Sequence, residues 1–175
     1  PLEDHLAAKN GEVAARILED IGRRGAQQIA REHRDIGQQA RREAAHAGGP
    51  ALRDGAEIAC GTRTALEGAD VLTNRAALAP EHWPRGVPAL KRSFRSSLAY
   101  RLCLAAEGRH DAMLTLRPAW EWDIAAGALI AERAGCTVTD PQGRALALNA
   151  EVPRATGIIA ANPSLHGALL AALQP

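Results

Sequence analysis

Aromatic residues are scarce in this chain of 175 residues, which holds three Trp, one Tyr and one Phe. Its core must therefore be built from Ala, Leu, Ile and Val, and Trp83, Trp120 and Trp122 are each more informative than a tryptophan usually is. A dominant charge is also lacking. Twenty-one Lys and Arg stand against 20 Asp and Glu, leaving a formal charge of +1 with the signs interspersed, so no broad field draws the chain to a phosphate backbone or an anionic bilayer. No nucleic acid polymer and no membrane are expected as partners. No apolar run nears the roughly 20 residues of a membrane span. Pro1 to Asn10 lack the basic-then-apolar order of a signal peptide, so the expected location is cytoplasmic. Cysteines are few and odd in number. Cys60, Cys103 and Cys136 are widely spaced with no CxxC, which argues against a disulfide framework or zinc knuckle and leaves small buried hydrophobes. An initiator Met is missing at Pro1, and the expectation is that the sequence starts inside a longer reading frame.

Two halves of different character follow. Gly11 to Ala47 is helical in pattern, with Val13, Ile17, Leu18, Ile21, Ile29 and Ile36 among Arg, Glu and Gln at helical spacings. Residues 1–45 are expected to be a helical segment, and residues 46–175 a separate α/β domain. Glu19 and Asp20 are adjacent, and neighbours on a helix diverge by about 100°, so a solvated face fits them better than a shared ion. His33 and His46 lack the partner spacing of a metal site and read as surface histidines.

Gly48, Gly49, Pro50 and Gly55 punctuate the chain, and beyond them strands and helices alternate. Gly68–Asn74 reads as a buried strand, followed by a proline-rich loop over residues 80–88. Ser97–Glu107 reads as a helix started by a serine cap and stopped at Gly108. His110–Leu116 reads as a strand. Trp122–Ala134 is a helix with Trp122, Ala125, Ala126, Leu129, Ile130 and Ala134 on its inner face, ended by Gly135. Thr137–Thr139 and Leu146–Leu148 read as strands around the Pro141–Gly143 turn, Gly157–Ala161 as another, and Ser164–Leu173 as a closing helix capped by Ser164. The fold class is α/β.

The most specific segment is Trp122-Asp-Ile-Ala-Ala-Gly-Ala-Leu-Ile-Ala-Glu-Arg-Ala-Gly-Cys136. It resembles the C-terminal signature of the inositol monophosphatase superfamily, in which Trp-Asp-x-Ala-Ala-Gly opens a helix that runs out in Glu-Ala-Gly-Gly. Ser97–Gly108 is similar to the helix this family places just upstream, Gly157–Asn162 to its last strand, and Arg53–Ile58 to its Leu-Asn-Gly-x-x-Ile turn. The likeness runs from about residue 45 to 175 and includes the inositol-phosphate phosphatases and the 3'(2'),5'-bisphosphate nucleotidases.

The resemblance implies the C-terminal α/β layer of that fold and a Mg²⁺-dependent phosphomonoesterase acting on a small sugar, inositol or nucleotide phosphate. It implies Asp123 as a metal ligand. The physics agrees, since a carboxylate in the first turn of a helix is favoured by the dipole and can take a hard cation through oxygen; the other reading is that Asp123 only caps the helix. The family's substrate turn falls on Ser96 and Ser97, either of which could instead cap the helix, and Ser96 stands where glycine is usual. Arg117 is a candidate contact to phosphate or leaving group, or an ordinary surface arginine.

Other positions depart from the pattern. Leu116 falls where the family has a carboxylate that grips inositol hydroxyls, and Arg133 and Cys136 replace the usual Glu and Gly at the helix end. The family's Glu-Glu pair and its Asp-Pro-x-Asp-Gly-Thr loop have no counterpart in the sequence. One Asp cannot hold two mutually repelling Mg²⁺ ions, so the chain reads as the C-terminal half of a phosphatase, or else as a non-catalytic module of the same lineage. An unpartnered half-core makes a homodimer an expected assembly.

Overall fold

The Asp54-Gly55 dipeptide fixes the first described feature of the chain, because both residues have positive φ, +51° and +85°. Two such residues in succession make the tight turn that joins twisted antiparallel strands. In the computed structural model, which describes residues 43–46 and 48–175, this turn links β2 (Leu52–Arg53) to β3 (Ala56–Glu57), and β1 (Glu43–Ala44) pairs with β2 on the other side. Glu43 and Ala44 close the stretch expected to be helical, and they are strand because the meander gives their backbone a ready partner in β2. The rest of that stretch, with Glu19, Asp20 and His33, lies outside the described residues. His46 is exposed.

A five-stranded sheet forms the centre, in the order β5 (Lys91–Ser93), β4 (Asp70–Leu72), β6 (Ala112–Thr115), β10 (Ile158–Ala161), β8 (Thr137–Thr139). Strands β5, β4 and β6 are parallel, whereas β10 is antiparallel to both β6 and β8. The central strands β6 and β10 are buried on both faces, as a sheet covered on both sides requires, whereas the edge strand β5 is Lys-Arg-Ser and largely exposed. Alternation sorts the side chains. Leu72, Met113, Ile158 and Ala160 enter one core with α1 (Leu98–Ala106) and α2 (Glu121–Arg133). Val71, Ala112, Leu114, Ile159 and Ala161 enter the other with Trp83 and with Leu165 and Leu169 of α3 (Pro163–Leu173). Two short 3₁₀ turns, Ala76–Leu78 and Pro80–His82, lead into the proline-rich stretch and precede the buried Trp83, whose indole N–H donates to the Ala77 carbonyl at 2.9 Å.

Helices α1 and α2 run in the same direction. The Ala134 carbonyl, at the exit of α2, accepts from Cys60 N at 2.8 Å. At the exit of α1, a Cβ on Gly108 would come within 3.1 Å of Gly61 N. Both exits therefore meet residues 59–61, and both entrances lie together at the opposite end. They approach closely along the way: a Cβ on Gly127 would sit 2.9 Å from Leu102 Cβ. The serine cap of α1 is Ser97, whose Oγ accepts from Tyr100 N at 3.2 Å, and Gly108 (φ +65°) and Gly135 (φ +90°) end the helices in the left-handed conformation.

Three expected details differ. Residues 146–148 form no strand. The Asp140 carboxylate accepts from Gln142 N and Arg144 N at 2.9 Å each and closes the turn upon itself, so the chain leaves β8 without pairing back. The cap of α3 is Asn162 rather than Ser164, because Pro163 takes the first helical position and Asn162 Oδ1 accepts from Ser164 N and Leu165 N at 3.1 Å each. Trp122 does not lie on the inner face of α2, which is made by Ile124, Ala125, Gly127, Ala128, Ile130 and Ala131. Cys103 and Cys136 are buried and Cys60 is half-buried, all as free thiols. Among the described residues no helix is long and apolar enough to cross a membrane.

Candidate functional site

Three adjacent parallel strands, and β8 beyond β10, point their carboxyl ends at one edge of the sheet, and that is where open α/β sheets bind ligands. Thr73 follows β4, residues 94–97 lead from β5 into α1, and residues 116–120 lead from β6 into α2. The amino end of the antiparallel β10 meets the same edge, Ile158 lying opposite Thr115. Ser96, Ser97, Arg117 and Asp123 are thus all carried to one rim, at the shared entrances of α1 and α2.

Asp123 is exposed in the first turn of α2 and makes no hydrogen bond or ion pair with any described residue. It is not a cap: the residue preceding the helix is Trp120, and no side chain bonds the first amides. The buried acid of this turn is Glu121, 8% exposed, whose oxygens accept from Asn149 N at 2.7 Å and Ala150 N at 3.3 Å. Glu121 anchors the loop after β8 and leaves Asp123 as the available carboxylate. Among the described residues no group of three His, Cys, Asp or Glu side chains converges as a metal cage. The donor set thus fits one ligand of a hard cation and falls short of a complete site.

Ser97 caps α1 through its hydroxyl, the second of the two roles expected for it. Ser96 is exposed and is absent from the residues with positive φ, so serine at this glycine position carries no backbone strain. Its carbonyl accepts from Arg101 Nη2 at 3.4 Å. Arg101 is 5% exposed, stacks its guanidinium 5.5 Å from the Phe94 ring centre, and leaves Nε and Nη1 without a partner among the described residues. Burial holds its pKa below the usual arginine range. Arg117 is exposed, with only its backbone N–H engaged, at 3.4 Å from Thr115 Oγ1. Leu116 packs partly buried against the α3-side core.

A residue group that the linear pattern did not reveal completes the rim. β7 (Ala119–Trp120) pairs antiparallel with β9 (Arg154–Ala155), setting Arg154 directly across from Trp120. The guanidinium lies 4.9 Å from the centre of the Trp120 ring, and the Trp122 ring stacks on Trp120 at 4.7 Å and 9°. Trp120 and Trp122 are 40% and 53% exposed. The chain distance between Trp120 and Arg154 hides this column. Arg101 was legible in principle, since it falls within the apolar stretch of α1.

The family model of the inositol monophosphatase family matches residues 39–175. The chain belongs to this family. It is 37% identical over 90 residues to the fructose-1,6-bisphosphatase/inositol-1-monophosphatase of Archaeoglobus fulgidus, a match spanning 49% of this chain and 36% of that protein. It is 44% identical over 78 residues to the inositol-1-monophosphatase of Mycobacterium leprae, spanning 45% and 25% respectively. The structure superimposes on the extragenic suppressor protein suhB of Bartonella henselae with a TM-score of 0.64 at 24% identity, over 78% of this chain and 55% of the other. The chain thus spans about half the length of its solved neighbour and less of its curated relatives.

Proposed function

We propose that this chain carries the C-terminal half of the site of a Mg²⁺-dependent phosphomonoesterase acting on a small sugar, inositol or nucleotide phosphate. The observation that carries the reading is the Asp123 carboxylate, exposed and unpaired in the first turn of α2, at the rim where three parallel strands end. The positive end of the helix dipole favours the anionic carboxylate there, and an unengaged carboxylate is what a hard cation requires. Magnesium would supply Lewis-acid charge at a phosphate ester when bound, and Asp123 would be its ligand from α2.

The roles left to the chain's own groups are binding roles. Arg117 offers an unpaired guanidinium to a phosphate, and the Ser96–Ser97 turn brings backbone and hydroxyl to the same rim. Leu116 has no acceptor for a sugar hydroxyl, which weakens selection for inositol over other esters.

Metal binding tests the reading without requiring turnover. Mn²⁺ used as a paramagnetic probe is expected to broaden the amide resonances of residues 120–124 in the 175-residue chain, and Asp123→Asn to remove that broadening. Equal broadening in both proteins overturns Asp123 as a ligand and favours the non-catalytic reading, for which the lack of a described carboxylate cluster already speaks.

A further inference from the structure

Two of the three cysteines, Cys60 and Cys136, are far apart in the chain and come together where α2 ends. Cys60 N donates to the Ala134 carbonyl at 2.8 Å, which lays residue 60 along the helix exit. A Cβ on Gly135 would lie 3.7 Å from Cys60 Sγ, so this sulfur sits over the residue just before Cys136. The two thiols also act on one another: burial first, then the Cys60 thiol through charge and a hydrogen bond, push the Cys136 thiol up. Their access to solvent differs. Cys60 is half-buried between the exposed Ala59 and Thr62 and the core, whereas Cys136 is buried. Cys103, within α1, has no such neighbour among the described residues; burial, then the Glu43 and Glu107 carboxyl groups, push its thiol up.

We propose that Cys60 and Cys136 form a redox-active dithiol, which a small-molecule disulfide such as oxidised glutathione converts into an intramolecular disulfide bond. Cys60 is the attacking thiol, because it is the one of the pair that an oxidant can reach. Having lost its proton, its sulfur bonds to one sulfur of the small disulfide, whose S–S bond breaks and releases one thiolate. The Cys136 sulfur then gives up its proton, bonds to the Cys60 sulfur and displaces the second small thiolate. The protein loses two electrons and two protons, and the small disulfide takes up both to become two thiols. The new bond ties the segment leaving the β1–β3 meander to the residue that leads into β8, and it closes a loop containing α1, α2 and the strands β4, β5 and β6. The pair lies at the exit of α2 and Asp123 at its entrance, so the thiol chemistry is separate from the phosphoester reading.

The test uses the whole 175-residue chain, fully reduced and then equilibrated in its folded state with oxidised glutathione. Thiol titration after denaturation is expected to fall from three thiols to one, peptide mapping to join Cys60 to Cys136 with Cys103 still free, and dithiothreitol to restore all three. Cys136→Ala is expected to stop at the first step and carry one glutathione on Cys60, and Cys60→Ser to keep its two remaining thiols free. The oxidised parent should unfold at a higher denaturant midpoint than the reduced parent, because closing a long loop restricts the unfolded chain. Three thiols retained by the folded parent overturn the proposal, as does a cross-link that includes Cys103 or joins two chains. A lower midpoint on oxidation overturns it too, since a bond that strains the fold does not match the native spacing of the two residues. The thiol count, the cross-link map and the midpoints are all read on the parent, so a variant that fails to fold leaves the test decisive.

Discussion

A buried guanidinium costs several kcal/mol to desolvate unless an anion and hydrogen bonds compensate it. Arg101 donates one long bond to the Ser96 carbonyl and lies over the face of Phe94, and two of its nitrogens have no partner among the described residues. Replacing it with an unbranched apolar side chain should therefore not hurt the fold. Arg101→Met is expected to unfold at the same denaturant midpoint as the parent or a higher one, with a gain on the order of 1 kcal/mol. A loss of more than about 2 kcal/mol would mean that the guanidinium is paired in solution. Arg133 makes a contrasting case. It replaces the acid expected at the end of α2, and its Nε donates to the Gly49 carbonyl at 2.6 Å, tying the helix to the turn after β1. Glu121 and Asp123 divide the acidic work of one helical turn in the same manner, the first holding a loop and the second left open at the rim.

At the scale of elements, the approach of α1 to α2 depends on Gly127. A Cβ there would lie 2.9 Å from both Cβ and Cδ1 of Leu102 and 3.3 Å from the Ala99 carbonyl, and neither a Cβ nor a helix carbonyl can swing aside. Overpacking of this kind costs about 1–3 kcal/mol, against roughly 1 kcal/mol gained by removing a glycine from a helix. Gly127→Ala is expected to be net destabilising in equilibrium unfolding, and a stabilised variant would show that the helices have slack. The β1–β3 meander is fastened differently. Arg53 bonds the Glu107 carboxylate at 2.6 Å, and burial together with the neighbouring Glu107 carboxyl pushes Glu43 up from 4.5 to about 7. An acid whose folded pKa is raised holds its proton longer in the folded state, so its contribution is full below the unfolded value and is lost as pH rises. Relative to Glu43→Gln, the parent should lose stability between pH 4.5 and about 7 and change little outside that window, as read from denaturation midpoints across the range. A parallel course for both proteins would contradict the latch.

At the scale of the whole molecule, no three His, Cys, Asp or Glu side chains converge on a metal position among the described residues, and the family relatives are longer than this chain. The 175-residue protein is expected to release negligible phosphate from inositol 1-phosphate or 3',5'-bisphosphoadenosine in the presence of Mg²⁺. Turnover that Asp123→Asn abolishes would show that further carboxylates of the chain assemble after all. The elements that carry the rim were readable beforehand because their signals are local. Ser97 caps, Gly108 and Gly135 stop helices, and residues 70–72 and 158–161 are apolar runs between turn formers. The strand expected over residues 146–148 is absent because Asp140 closes the preceding turn on Gln142 and Arg144 while Glu121 holds Asn149 on the other side of the segment. The indole column was not readable, because Arg154 reaches Trp120 through the β7–β9 pairing.

By itself the sequence determined the α/β class, the glycine stops of α1 and α2, and the family, because turn chemistry, periodicity and a short signature are written in neighbouring residues. Only the tertiary structure decided that Trp122 faces outward, that Glu121 and not Asp123 is the anchored acid, and that a buried Arg101 stands behind the serine turn. Those outcomes depend on which segments meet at the sheet edge, and a contact such as Glu121 to Asn149 leaves no period in the chain.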